Sequence, residues 1–382
     1  MLSRVIALSL LVASPAFAVV PPLPVSNGLE VTVFDPQPRE ASCIGGRVLK
    51  VVEAAPFHPR TTPSPVEQIV VVADGPPPSQ VNDANDEVLT FSVDAEGRPL
   101  DIRRAGTGRF FGDPDTAIAA LAGWRFDAGA ATAGCHVSIP THRMPIALAS
   151  RATLFEIFAF ERGNTPASVR ETLAKAGNCR TGPRRLPKTI AYPDLRRFNG
   201  RDLNPAWAAV TYDIDANGAP RNVRIDSQGG DPALADAVAA AAAESRFLPG
   251  KPVQACYGTF AADPRETPAP HRPKAAFALP EDQRPANHCP VTQAQLNLPA
   301  FKNYPRAYAA RKVAGWAYLS FDVAPWGQIG NVQVLESQPS AAFGQAAQSL
   351  LWSARPKPPA EGYRGCILPV FYNIPEPDPI FD

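Results

Sequence analysis

Six cysteines, Cys43, Cys135, Cys179, Cys256, Cys289 and Cys366, are the residues best equipped for covalent chemistry in this chain of 382 residues. Their number is even and no CxxC occurs, which favours structural disulfides over a redox pair. The count alone fixes no pairing, but spacing is informative: Cys179 to Cys256 is 77 residues, Cys289 to Cys366 is also 77, and Cys43 to Cys135 is 92. We therefore expect the bridges 43–135, 179–256 and 289–366. Other reactive groups are thinly spread. His58, His136, His142, His271 and His288 include no HExxH and no zinc-like spacing, so neither metal nor cofactor is expected. Cys135 and His136 are chain neighbours, which point to opposite faces of a strand. Asp213 and Asp215 could share a strand face as an acid–base pair, although solvent-facing hairpin carboxylates are far commoner. No GxSxG turn is present, and the chain reads as non-catalytic.

Disulfides belong to an oxidising compartment, and the N-terminus points the same way. Residues 1–18, MLSRVIALSLLVASPAFA, combine one basic residue, an apolar run from Val5 to Val12 and the small-x-small sequence Ala16-Phe17-Ala18. That is the layout of a cleaved signal peptide. Its apolar run falls short of the roughly 20 residues that span a bilayer, and no later apolar run is long enough to do so. We expect a periplasmic or secreted protein with no membrane span in the mature chain. A formal charge of +1 with scattered basic residues excludes a nucleic-acid surface. The 44 prolines imply short elements joined by stiff connectors.

Three fragments position the cysteines. FSVDAEG, YDIDANG and FDVAPWG end at Gly97, Gly218 and Gly327, and the next marker cysteine follows 38, 38 and 39 residues later. Apolar residues alternate on both sides of each glycine (Phe91/Val93 with Leu100/Ile102, Tyr212/Ile214 with Val223/Ile225, Phe321/Val323 with Val332/Val334), which predicts a hairpin in each copy. A helix should follow, started by Asp113-Pro114, Asp231-Pro232 and, less strongly, Ser337-Gln338-Pro339. Arg125-Phe126 and Arg246-Phe247 then lead from the helix into a last extended segment. In the third copy Arg355-Pro356 lacks the aromatic, and Trp352 is expected to fill its place. The three arginines should lay their stems on the helix–sheet seam.

The fold class expected is therefore α+β: three tandem small domains, each a short antiparallel sheet packed with one or two helices, with one disulfide per domain. Residues 19–142 form a divergent first module with an N-terminal extension, 179–262 the second and 286–382 the third. Residues 143–178 form a helical connector, with Leu148 to Phe160 as an interdomain helix and Thr165 capping the next helix. Residues 263–285 form a Pro-rich linker.

In Tyr304-Pro305, Gly315, the strand Trp316 to Val323, the hairpin at Gly327, Ser337 and the closing Arg355-Pro356-Lys357-Pro358, the third copy resembles the TonB C-terminal domain family. Tyr192-Pro193, Tyr212 to Asp215, Asn217-Gly218, Ser227, Leu234 and Arg246-Phe247-Leu248-Pro249 give the second copy a similar likeness, and the first is recognised by analogy with both. The resemblance implies a three-stranded antiparallel sheet against helices, with an exposed edge near the last strand that takes an extended segment of a partner. Carried onto this chain, the candidate peptide-binding edges are Val253, Ala255, Tyr257 and Thr259, and Ile367, Pro369 and Phe371. Pairing of these strands within the protein is the competing expectation. The functional reading is a non-catalytic periplasmic scaffold or binding protein engaging extended peptide segments of envelope partners by strand addition. The alternatives are an accessory energy transducer anchored by an uncleaved leader and, less favoured, an envelope hydrolase with an unrecognised site.

Overall fold

The computed structural model describes residues 29–34, 37–63, 86–105, 115–161, 165–273, 289, 293–299 and 303–374. The leader, the Asp113-Pro114 helix start and linker residues 274–285 lie outside them. Three similar modules are present. In each, the first hairpin strand is central: β5 (Glu87–Val93), β11 (Trp207–Ile214) or β15 (Gly315–Val323). Its hairpin partner, β6 (Pro99–Arg104), β12 (Pro220–Gly229) or β16 (Ile329–Gln338), lies on one side. The closing strand, β8 (Thr132–Ile139), β14 (Val253–Ala261) or β17 (Tyr363–Tyr372), lies on the other, and every pairing is antiparallel. One helix, α1 (Asp115–Ala122), α4 (Pro232–Glu244) or α6 (Ala341–Trp352), connects hairpin to closing strand. Disulfides 43–135, 179–256 and 289–366 tie the closing strand of each module to a segment that precedes its hairpin. By the loop-entropy argument each contributes about 4 kcal/mol.

The recurring glycines serve two needs at once. Gly97, Gly218 and Gly327 have φ of 80°, 84° and 85°, a conformation that side chains disfavour. They also touch the segment that leaves the helix: the Phe126 N–H donates to the Gly97 carbonyl and Phe247 N–H to that of Gly218, both at 2.9 Å. A Cβ on Gly218 would stand 1.9 Å from the Phe247 carbonyl oxygen. In module 3 the corresponding neighbours of Gly327 are Pro356 and Pro358. Trp352 does not replace the missing aromatic, because it is 56% exposed at the helix end.

Two of the recurring arginines, Arg246 and Arg355, close their helices, while Arg125 reaches only a carbonyl just beyond α1. Arg246 donates to the carbonyls of Ala243 and Ser245, Arg355 to those of Trp352, Ser353 and Ala354, and Arg125 to that of Trp124. A cation among the last free carbonyls also suits the negative end of the helix dipole. At the other end, Asp231 accepts from the Ala233 N–H and Pro232 needs no donor, as the sequence requires. In module 3 the cap is Ser340, which accepts from Ala342 N–H, whereas Ser337 still belongs to β16.

Module 1 is enlarged by its N-terminal extension. Strands β2 (Glu40–Ser42), β3 (Val48–Glu53) and β7 (Arg125–Phe126) lengthen its sheet to six, in the order β6-β5-β8-β2-β3-β7. A separate sheet is formed by β1 (Leu29–Phe34) between β4 (Arg60–Pro63) and β9 (Thr141–Pro145). Buried Glu87 accepts from Arg60 at 3.0 Å and Arg104 at 2.5 Å, fastening β4 to the module 1 hairpin.

The connector contributes α2 (Arg151–Phe160) and α3 (Ala167–Ala174). Ser150 caps α2, but Thr165 does not cap α3: Pro166 occupies that position, and the Thr165 hydroxyl is buried without a partner. Leu154, Phe155 and Ile157 of α2 form one buried cluster with Val169 and Leu173 of α3 and with Trp207, Ala209 and Tyr257 of the second sheet. Since alternate strand residues face opposite sides, Ala208 and Val210 instead meet Leu234 and Val238 of α4. The second sheet is thus covered on both faces, and beside it β10 (Pro187–Thr189) pairs with β13 (Arg246–Phe247) in a two-stranded sheet.

Modules 1 and 3, the two most distant in sequence, share a single continuous core that includes Leu89, Ile102, Leu121, Phe321, Phe343 and Leu351. Their seam is closed by reciprocal bonds. Asp101 N–H donates to Gln338 Oε1 and Gln338 Nε2 donates to Asp101 Oδ1, each at 2.9 Å, and Ile102 N–H donates to the Pro339 carbonyl. The backbone contact between these two modules is therefore made by the hairpin strand β6 and the end of β16, while the closing strands contribute side chains to the shared core.

Candidate strand-pairing edges

The closing strands owe their shape to paired bulges. Asp101, Asn222 and Asn331, each four residues after a turn glycine, have φ of 51°. Gly134, Ala255 and Gly365, each one residue before a marker cysteine, have φ of 66°, 54° and 61°. One aspartate on the central strand joins the two irregularities. Asp213 accepts from Asn222 Nδ2 at 2.7 Å and from the Ala255 N–H at 2.9 Å; Asp322 accepts from Asn331 Nδ2 at 2.7 Å and from the Gly365 N–H at 3.0 Å. In module 1 the partners are exchanged, with Ser92 donating to Asp101. Asp215 has a separate task in the hairpin turn, accepting from the Asn217 and Ala219 N–H groups and from Arg221. The backbone bond from Ala219, ahead of the Arg221 contacts, holds its carboxyl below the usual range. Both carboxylates are committed to backbone geometry and form no acid–base pair.

The bulge at Ala255 breaks the alternation along β14. Val253 is buried with Ile214, Phe247 and Cys256, so its side chain faces the core. Ala255 directs its N–H at Asp213. Tyr257 lies on the other face, its ring edge-on to Phe155 at 5.6 Å and Phe158 at 5.7 Å, with the Arg180 guanidinium 4.6 Å from its centre. Its hydroxyl donates to the Arg170 carbonyl at 3.2 Å, and burial pushes its pKa up. Thr259 pairs with Ala209 and is half-buried. At the start of the strand, Gln254 N–H donates to Asn178 Oδ1 and its carbonyl accepts from Cys179 N–H. Among the described residues, β14 is paired as a strand only with β11.

In β17, Cys366, Leu368, Val370 and Tyr372 point into the core shared with module 1. Ile367, Pro369 and Phe371 lie on the far face and are half-buried. There Arg272 stands 4.1 Å over the Phe371 ring, Trp316 Nε1 donates to the Pro270 carbonyl at 3.0 Å, and Tyr318 Oη reaches the Pro273 carbonyl at 3.4 Å. The chain leaving module 2 thus covers in module 3 the face that α2 and α3 cover in module 2. Pro369 has no N–H to offer, and a proline within a sheet is confined to edge strands.

Residues 301–373 match the family of the Gram-negative bacterial TonB protein C-terminal domain. The matched region is module 3, and modules 1 and 2 share its strand order, its turn glycine and its disulfide. No curated protein matches the chain. The described residues contain no group of three or more His, Cys, Asp or Glu able to hold a metal ion, and no helix long and apolar enough to cross a membrane. Cys135 is bridged and buried while His136 is exposed, so the neighbours form no dyad. The arrangement offers hydrogen-bonding strand edges and apolar faces. The aspartate clamp leaves only a faint mark in the sequence. Its signal was the aspartate between two apolar strand residues in YDI and FDV, together with an asparagine four residues after the glycine.

Proposed function

We propose that this protein is a non-catalytic binding scaffold of the periplasm, which takes an extended peptide segment of an envelope partner along the outer edge of a closing strand. β14 is the better suited of the two edges. The observation that carries the reading is that β14 ladders on its β11 side alone among the described residues, while its far face is already closed by α2 and α3. An added strand there would gain main-chain hydrogen bonds without displacing packed helices. The backbone at Tyr257 and Thr259 supplies the general affinity. Val253 and Ala255 contribute through the bulge that ends the edge, since the Val253 side chain is buried in the core and the Ala255 N–H is held by Asp213. β17, with Ile367, Pro369 and Phe371, is a weaker acceptor, because Pro369 interrupts the row of donors. The TonB-like match of module 3 and the three disulfides support placement outside the cytoplasm.

The test is a proline at Thr259, which copies into β14 the interruption natural to β17. With a photo-crosslinking residue at Gly258, partner capture from intact envelopes should fall at least about tenfold in Thr259→Pro, the loss expected from removing one or two main-chain bonds. Thermal melting should confirm a folded protein. Unchanged capture by a folded variant would remove the edge from consideration.

A further inference from the structure

A cleft of about 460 Å³ lies where the N-terminal extension, α1, the end of α2, the chain leaving module 2 and a short helix α5 (Arg306–Ala310) converge. Sites for small molecules occupy about 300–1,000 Å³. Apolar walls come from Ala119, Phe160, Leu203, Ala307 and Val313. The charged groups in the lining are unequal in sign.

Arg311 is the group that needs explaining. One of its N–H groups donates to the Pro56 carbonyl at 2.9 Å, and no carboxylate pairs with it among the described residues. Burial, followed by the neighbouring Arg60 charge, lowers its pKa to about 10. Arg60 offers no compensation, since Glu87 is already divided between Arg60 and Arg104 and two guanidinium nitrogens of Arg60 are buried without partners. Glu161, the carboxyl in the lining, accepts from the Thr61 N–H and hydroxyl, and burial shifts it toward its neutral form. His58 is held by Glu156 at 2.9 Å and stacks on Phe160 at 3.7 Å. A cation kept beside apolar walls without a counter-charge is costly, and an anion supplied from outside would offset that cost.

We propose that this cleft binds a small monoanion with an apolar body, a medium-chain alkyl carboxylate, with its carboxylate on Arg311 and its chain along the wall formed by α1 and α5. A guanidinium can grip a carboxylate through two parallel bonds. The alkyl chain then replaces water against alanine, leucine and phenylalanine surface.

The experiment is calorimetric titration of the intact mature protein with sodium decanoate, kept below its micelle concentration, and with 1-decanol. Decanoate should bind at one site and 1-decanol at least about tenfold more weakly, as expected for loss of a charge-assisted contact. Arg311→Gln should weaken decanoate at least about tenfold while melting at an equal or higher temperature without ligand, because it removes a half-buried charge that no carboxylate pairs with among the described residues. Absence of decanoate binding, equal affinity for the alcohol, or an Arg311→Gln variant that binds within about twofold of the parent would each overturn the site. If Arg311→Gln does not fold, Ala310→Trp at the exposed rim replaces it: loss of binding is the expected result, and undiminished binding overturns the proposal. Thr259→Pro should leave decanoate binding unaltered, which separates this site from the strand edge.

Discussion

Modules 2 and 3 carry the same aspartate clamp on the same three strands, yet the far faces of their sheets are covered differently. In module 2 the cover is a helical pair, with Phe155, Phe158 and the Arg170 carbonyl gathered around Tyr257. In module 3 it is the extended chain through Pro270 and Pro273, laid over Trp316, Tyr318 and Phe371. The near faces differ as well: module 2 keeps its own core against α4, while module 3 merges its core with module 1. A small sheet presents two apolar faces and one helix covers only one of them, so each copy has to recruit something else for the second. The repeated frame is held by backbone constraints. The cover is where the copies are free to diverge.

This contrast can be broken at several points. Replacing Cys179 and Cys256 with alanine should cost about 4 kcal/mol and open module 2 alone in hydrogen exchange. Replacing Cys289 and Cys366 should cost a similar amount but raise exchange around Ile102 and Leu121 as well, because modules 1 and 3 share a core; strictly local opening in both variants would refute that sharing. Gly218→Ala should destabilise by about 3 kcal/mol, combining positive φ with a 1.9 Å approach to the Phe247 oxygen, measured by denaturant titration. Gly327→Ala should cost less, since its nearest neighbour, the Pro356 oxygen, is 2.9 Å away. Asp213→Ala and Asp322→Ala should each cost about 2 kcal/mol through an unpaired N–H and an unpaired asparagine amide. A large inequality between them would mean that the clamp does not serve both modules alike. Tyr257→Phe should lose about 1 kcal/mol, seen as a small fall in melting temperature that Ile367→Val on the other cover does not reproduce.

The smallest effect concerns the contact between α2 and the N-terminal extension. Burial holds the His58 imidazole below its ordinary range, with the Glu156 hydrogen bond opposing it in part. The folded protein therefore binds fewer protons there than the unfolded chain. That contribution to stability is present above about pH 6.5 and is lost as the pH falls below it, by no more than about 1.4 kcal/mol per unit. His58→Gln should flatten this limb of the melting profile, while a retained slope would assign it to other groups.

Much of each module was legible because its signals are local. The interval from turn glycine to cysteine, the Asp231-Pro232 start and the alternation around Gly218 each depend on a few consecutive residues. Where the reading differed from the structure, a non-local contact decided. Ser340 rather than Ser337 caps α6 because β16 runs on to Gln338 to meet module 1. Trp352 stays outside because Pro356 and Pro358 already back the Gly327 turn. Along β14, alternation placed Val253 with Tyr257, but the left-handed residue at Ala255 separates their faces. Arg125, Arg246 and Arg355 recur as a set in the sequence, yet the hold of Arg246 and Arg355 on helix-end carbonyls depends on where the helices stop.

Sequence alone determined that one hairpin–helix–strand unit is made three times with a sulfur bridge in each, because turn, cap and disulfide spacing are properties of short stretches and chain order. Only the tertiary structure decided that the first and third units share a core, that the connector helices close the far face of the second, and that Arg311 lines an apolar cleft with no carboxylate paired to it among the described residues. Those outcomes depend on which surfaces, distant in the chain, leave least apolar area in water when packed together, and no local pattern encodes that choice.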